Sequence, residues 1–147
     1  MPDTNQALTN FDIANLFSEL RVFRGVFMRD TLPAKPFDYE IGIINLDSNA
    51  NPGTHWTMYA RINRENFYFD GFGVQPPTEL VKYLSKPILY STFQIQELGT
   101  KYCGHLCIYV ILQMIRGLRF EEAVLQLLQD FSQNKWTQNL KNFCNAR

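Results

Sequence analysis

Three cysteines and two histidines carry the nucleophilic and basic chemistry of this sequence, and their spacing narrows what that chemistry can be. Cys103 opens the stretch Lys101-Tyr-Cys-Gly-His-Leu-Cys-Ile-Tyr-Val-Ile-Leu-Gln-Met-Ile-Arg-Gly117, which is apolar on almost every helical face and so reads as a buried helix. A thiol in the first turn of such a helix sits among unpaired backbone N–H groups at the positive end of the helix dipole. Both favour the thiolate. Taken alone, Cys103 is more often a small apolar residue packed at a helix start, since structural cysteines outnumber reactive ones. Two histidines are available to activate it. His105 lies two residues along the same helix, about 200° round the axis, and points away from the thiol. His55 is the better base.

Asp70 is the group that would orient His55. His55-Trp-Thr-Met-Tyr-Ala-Arg-Ile62 and Phe67-Tyr-Phe-Asp70 flank the polar turn Asn63-Arg-Glu-Asn66 and form, most simply, an antiparallel hairpin. If Asn63 and Arg64 are the two turn residues, Ile62 opposes Glu65 and Thr57 opposes Asp70. His55 then shares a face with Asp70 and is its diagonal neighbour, at roughly 7 to 8 Å along the backbone. A turn longer by one residue, without a bulge, sends the two to opposite faces. An acid behind an imidazole behind a thiol is the arrangement that activates a nucleophile for acyl transfer. Such a reaction also needs donors for the oxyanion, and the Cys103 backbone N–H together with the amide of Gln96 or Gln94 is the available set. Each residue has a plainer role: a histidine beside a tryptophan as structure, Asp70 before Gly71 as a turn former, a strand glutamine facing water. Cys103, His105 and Cys107 do not share a helix face, and no fourth ligand at zinc spacing follows, so no metal site is expected.

The remaining elements must hold these residues in place. Thr9 or Asn10 caps an N-terminal amphipathic helix carrying Ile13, Leu16, Phe17 and Leu20. Arg21 to Met28 alternates imperfectly and reads as an extended segment, and Pro33 and Pro36 enforce a loop. Tyr39-Glu-Ile-Gly-Ile-Ile-Asn45 is a strand followed by a turn over Asp47 to Gly53. Thr78 to Leu84 fits a short helix entered through proline. Leu89 to Gln96 reads as a strand in which Gln94 and Gln96 share a face. Phe120 to Phe131 forms a second helix with Phe120, Val124, Leu127, Leu128 and Phe131 inward, and Trp136, Leu140 and Phe143 mark a last short helix. The order implies a single α+β domain over residues 1–147.

Composition sets the outer bounds. The chain has 147 residues, 46% of them hydrophobic, enough for one sizeable core. Fourteen basic and fourteen acidic residues cancel, so net charge indicates no general attraction to nucleic acid or to an anionic membrane. Three cysteines form no even disulfide framework and suit a reducing compartment. No signal peptide is visible and the longest apolar run, Leu106 to Ile115, is too short to span a bilayer. These features point to a protein that is not secreted.

Four pieces of the sequence, in this order, resemble the adenovirus-type maturation proteases (the adenain family), which are related to the SUMO-specific cysteine proteases: Gly53-Thr-His55-Trp56, Phe69-Asp70-Gly-Phe-Gly73, Gln96 seven positions before the cysteine, and Cys103-Gly104. The similarity spans roughly residues 8 to 117. It implies a papain-like, adenain-type fold with the buried helix packed on a mostly antiparallel sheet. It also implies a nucleophile at Cys103, a base at His55, an orienting acid at Asp70 and the oxyanion amide at Gln96 rather than Gln94. Trp56 would wall the entry to the scissile bond, with Gly104 beside it as a substrate contact. Glycine-containing sequences before the cut go with the family's narrow cleft, where residues lacking a Cβ thread most easily. The partner implied is a polypeptide, a capsid or core precursor cleaved during particle maturation, met by a monomeric enzyme in the virion or in the cytoplasm or nucleus of an infected cell. Similar genes occur in virophages and adenovirus-like transposons.

Departures from the family pattern shape these expectations. The adenoviral enzyme has Glu where this chain has Asp70, whereas the SUMO-protease branch uses Asp. The adenoviral enzyme is longer and basic, and is activated by DNA and by a disulfide-linked peptide. This chain is neutral and offers no assigned match for the linking cysteine at Cys107 or Cys144, so no cofactor is required by sequence and neither activator is implied. Removal of a ubiquitin-like modifier, a catalytically silent binding module on the same fold, and the related bacterial acetyltransferases are the alternatives.

Overall fold

The computed structural model describes residues 4–47 and 55–146. Apart from Asp47, the turn expected over Asp47 to Gly53 lies outside these residues, as do Gly53 and Thr54 of the motif before His55. In chain order the elements are α1 (Asn10–Leu16), β1 (Phe23–Met28), β2 (Tyr39–Asn45), β3 (Trp56–Ile62), β4 (Glu65–Phe69), α2 (Thr78–Leu84), β5 (Ile88–Tyr90), α3 (Cys103–Ile115), α4 (Phe120–Ser132) and α5 (Trp136–Asn145). Their arrangement is α+β.

The five strands lie in the order β1-β2-β3-β4-β5. The expectation of a mostly antiparallel sheet is corrected to a mixed one: β1 runs parallel to β2 and β4 parallel to β5, while β2-β3 and β3-β4 are antiparallel. Connection length is the cause. The two-residue turn between β3 and β4 can only reverse the chain, whereas residues 70–87, with α2 among them, carry it back to the same end of the sheet. In that short turn Asn63 and Arg64 both take positive φ, 51° and 67°. Positive φ at both central residues marks the turn type whose twist suits a hairpin. The register follows from it, with Ile62 opposite Glu65 and Met58 opposite Phe69.

Both faces of the sheet are covered, which explains apolar runs such as Ile43-Ile44 and Phe67-Tyr-Phe69. Ile41, Ile43, Met58, Ala60, Phe67 and Phe69 face a core shared with α1, α3, α4 and α5. Ile44, Tyr59 and Tyr68, on the alternate parity, pack with Leu80 and Leu84 of α2. Every residue of α3 from Cys103 to Gln113 is buried. Full burial of an aliphatic side chain of the Leu106 or Ile111 type contributes about 1.5–3 kcal/mol. The mouth of α3 is therefore fixed by its whole length.

Two buried carboxylates fasten the periphery. Glu40 accepts from Arg24 Nη1 at 3.0 Å, the Phe37 backbone N–H at 2.6 Å, Tyr59 Oη at 2.6 Å and Tyr83 Oη at 2.9 Å. Asp130 accepts from Tyr109 of α3, Gln126 of its own helix and Asn139 of α5.

Two expected elements end early. Helix α1 stops at Leu16, with Thr9 and Asp12 forming its capping box and Phe17 its C-cap, so Leu20 lies beyond the helix. The strand expected over Leu89 to Gln96 is confined to β5 because the Ile95 and Gln96 backbone N–H groups both donate to the Gly71 carbonyl, at 2.8 and 2.9 Å. Residues 91–100 are thereby drawn onto the loop after β4. Among the described residues no helix is long and apolar enough to cross a membrane.

Candidate active site

His55 immediately precedes β3, and its backbone carbonyl is held by the Leu46 N–H at 3.1 Å beyond the end of β2. Asp70 immediately follows β4. Continuing the hairpin register by one pair sets Thr57 opposite Asp70 and leaves His55 diagonal to it, on the same face. The side chains meet there: His55 Nε2 is 2.7 Å from Asp70 Oδ1. That same oxygen accepts the Phe72 backbone N–H at 2.8 Å, and the Phe72 ring stacks on the imidazole with centroids 4.7 Å apart. Asp70 is 1% exposed, so the pair is shielded from competing water. The ring is thus held edge-on by a carboxylate and face-on by an aromatic.

Cys103 is the first residue of α3, where its N–H has no intrahelical acceptor. Its sulfur accepts the Trp56 backbone N–H at 3.4 Å and lies within interaction range of the His55 side chain. With Nε2 given to Asp70, Nδ1 is the ring nitrogen left to serve the sulfur. Burial disfavours the charged form of each partner, but their mutual contact outweighs it. Burial alone would raise the Cys103 thiol; the His55 hydrogen bond and charge, with the N–H groups of Trp56 and Gly104, lower it below its ordinary value of 9.0. Burial likewise pulls His55 down, and Asp70 and Cys103 together carry it from 6.5 up to about 9. The two directions agree in favouring the thiolate–imidazolium form of the pair.

Cys107, one turn further along α3, is an internal contrast. It is wholly buried, its thiol donates to the Trp56 carbonyl at 3.5 Å, and burial followed by the nearby Cys103 and Asp70 charges pushes its pKa well above 9.0. The Trp56 peptide thus stabilises negative charge on one sulfur and accepts from the other. His105 is also fully buried, in the first turn of α3.

No family model matches the chain, and no curated protein matches it. What the site can do rests on its own geometry.

Gln96 is 1% exposed. Its backbone is tied to Gly71, and its side-chain Nε2 donates to the Thr100 carbonyl at 3.3 Å, three residues before Cys103. One amide hydrogen is committed by that bond and the second is left over. Gln94 is exposed and donates to the Gln96 carbonyl at 3.1 Å, so the two glutamines do not share the role left open by their spacing. Trp56 is 6% exposed, with its indole Nε1 donating to the Leu8 carbonyl at 2.9 Å. Gly104 lies beneath the same pair: a Cβ there would meet Leu8 Cδ1 at 3.2 Å and Trp56 Cδ1 at 3.3 Å. The structure therefore joins His55, Asp70 and Cys103 directly, sets Gln96 on the loop leading into the thiol, and covers Trp56 and Gly104 with Leu8.

Phe72, Leu8 and the Trp56 main chain were not legible as site members. Each acts through a backbone atom or a ring face, which residue type does not announce. The one sequence signal was the proximity of Phe72 to Asp70.

Proposed function

We propose that this chain is a cysteine endopeptidase with a papain-like, adenain-type fold. The observation that supports it most is the His55 ring coupled to both Cys103 and Asp70, with Asp70 Oδ1 2.7 Å from Nε2, the sulfur's pKa lowered and the ring's raised. In the reaction, the Cys103 thiolate attacks the scissile carbonyl carbon and the carbonyl π electrons move to oxygen. The oxyanion is met by the Cys103 N–H and the second amide hydrogen of Gln96. Collapse of the intermediate breaks the C–N bond as the His55 imidazolium gives its proton to the departing amine, leaving a thioester. Water then loses a proton to His55 as it attacks the thioester, and collapse of this second intermediate breaks the C–S bond, releasing the carboxylic acid and regenerating the Cys103 thiolate beside the imidazolium. Asp70 holds the ring and stabilises its positive charge throughout.

The substrate class proposed is a viral capsid or core precursor with glycine before the cut, following the resemblance of the His55-Trp56, Asp70, Gln96 and Cys103-Gly104 pieces. The experiment is cleavage of Gly-Gly-containing fluorogenic peptides and of a capsid precursor protein carrying a Gly-Gly site. Turnover lost in Cys103→Ala and His55→Ala is the expected result. Absence of turnover, with Cys103 and Cys144 alkylated at equal rates, overturns it. Asp70 in place of Glu favours a second reading, removal of a ubiquitin-like modifier. Robust turnover of one modifier-derived fluorogenic substrate, with the capsid protein left intact, selects it.

A further inference from the structure

Gly71 stands between the two halves of the site. It follows Asp70 directly, and its carbonyl accepts both the Ile95 and the Gln96 backbone N–H groups. Its Cα faces the Gln96 side chain: a Cβ at this position would lie 2.9 Å from Gln96 Oε1, 3.2 Å from Gln96 Cβ and 3.0 Å from Leu106 Cδ1. These distances are too short for carbon, so a neighbour has to give way.

Which neighbour gives way follows from their surroundings. Leu106 is fully buried in α3, one turn beyond Cys103 and on the same side of the helix. Gln96 Cβ is fixed by a backbone bonded to Gly71 itself. The carboxamide is the freest of the three: it is the end of a side chain, held by one bond to Thr100, and its Oε1 finds no hydrogen-bond donor among the described residues. A methyl group at position 71 displaces the carboxamide while the core and the hairpin stay in place. Backbone conformation gives no other reason for glycine here, since Gly71 is not among the residues with positive φ.

We propose that Gly71 is the positioning residue for the oxyanion amide: its missing side chain is the seat of the Gln96 carboxamide, and its backbone registers that amide against Asp70. The proposal rests on the endopeptidase reading and deepens it. Because one residue is bonded to the loop of Gln96 and peptide-linked to Asp70, the groups that stabilise the oxyanion and the imidazolium move as one body.

The test is Gly71→Ala, assayed for hydrolysis of p-nitrophenyl acetate and a Gly-Gly fluorogenic peptide and, separately, for alkylation by iodoacetamide across pH. Removing a single oxyanion donor lowers kcat by about 10²–10³. A displaced amide is expected to give a fall of at least about tenfold in kcat, with KM and the alkylation profile unchanged, because alkylation forms no oxyanion. In a Gln96→Ala background the same substitution is expected to have no further effect on kcat. A Gly71→Ala enzyme with wild-type kcat, an additive loss in the double variant, or an altered alkylation profile overturns the proposal and leaves the endopeptidase reading standing. A wild-type protein that hydrolyses neither probe overturns both.

Discussion

His55 Nε2 lies 2.7 Å from Asp70 Oδ1, while the carboxylate's other oxygen, Oδ2, is buried and meets no hydrogen-bond donor among the described residues. The whole acceptor strength of the inner oxygen is directed at the ring and at the Phe72 N–H. Asp70→Asn removes the charge that stabilises the imidazolium and is expected to lower the His55 pKa from about 9. The alkaline limb of the hydrolysis profile should move to lower pH, and kcat should fall about 10- to 100-fold. That is less than the ~10⁴ seen in a Ser-His-Asp enzyme, because a preformed ion pair already carries protons on both ring nitrogens and the tautomer is not at stake. An unmoved alkaline limb in Asp70→Asn refutes this assignment.

The wild-type pH dependence follows from the same pair. His55, raised from 6.5 to about 9, adds stability that is complete below pH 6.5 and lost as pH climbs through about 9. Cys103, lowered below 9.0, adds stability present above that value and lost as pH falls through its folded pKa. The ion pair therefore fills the interval between the two folded values. Hydrolysis is expected to fall off above about pH 9, and iodoacetamide reactivity is expected to rise at a pH below 9.0. Rate profiles for both reactions check the two limbs separately.

Thiol reactivity should separate the three cysteines by charge state rather than by exposure. Cys144 is the more accessible, half-buried on α5, whereas Cys103 is 6% exposed and Cys107 has no exposure. At limiting iodoacetamide near neutral pH, Cys103 is expected to be modified first, Cys144 later and Cys107 only on unfolding. Peptide mapping by mass spectrometry reads the order, and His55→Ala should erase the lead of Cys103. Labelling in order of exposure, with Cys144 ahead, counts against an activated thiol.

The hairpin shows how far residue pattern reaches and where it stops. Two turn residues between β3 and β4 fix a register, and the register alone sets His55 diagonal to Asp70, so this part of the site could be read from spacing. The buried α3 was equally legible, because its apolar residues run round every face. The region 91–100 was not. Leu89 to Gln96 has the alternation of a strand, yet the chain leaves β5 after Tyr90 to bond Gly71, a tertiary contact that outcompetes local propensity. The sheet's parallel pairs escaped for a similar reason: strand direction is set by what connects the strands, and the strand sequences carry no record of it.

Glu40 gathers four donors in a site where its side chain is 1% exposed, with Arg24 supplying the opposing charge. Glu40→Gln keeps the shape but removes the negative charge and turns one acceptor into a donor facing other donors. A destabilisation of about 3 kcal/mol is expected, the usual cost of leaving one member of a buried pair uncompensated. Urea denaturation of the two proteins measures it through the midpoint at unchanged m-value. Glu40 belongs to the far face of the sheet with Tyr59 and Tyr83, so the alkylation profile of Cys103 should not change. A variant as stable as the wild type would mean that Arg24 and the tyrosines find water instead.

Leu8 covers Trp56 and Gly104 beside the site. Its carbonyl accepts the Trp56 indole N–H, and its side chain reaches the first turn of α3 above Gly104, so residues next to the sulfur are covered by the segment just before α1. Leu8→Ala removes the side chain and keeps the carbonyl bond. Two outcomes are expected together. Stability should fall by about 2 kcal/mol, the low end for a truncated buried leucine, because Leu8 lies outside the regular elements and its surroundings can settle into the space. Cys103 should be alkylated faster at unchanged pH dependence, because access improves while the ion pair with His55 is untouched. Tryptophan emission shifted to longer wavelength would report the loosened cover at Trp56. A faster rate accompanied by a displaced pH profile would instead mean that Leu8 helps to set the charge on the sulfur, a role its distance from His55 and Asp70 in the sequence does not suggest and its contacts with Trp56 and Gly104 do not provide.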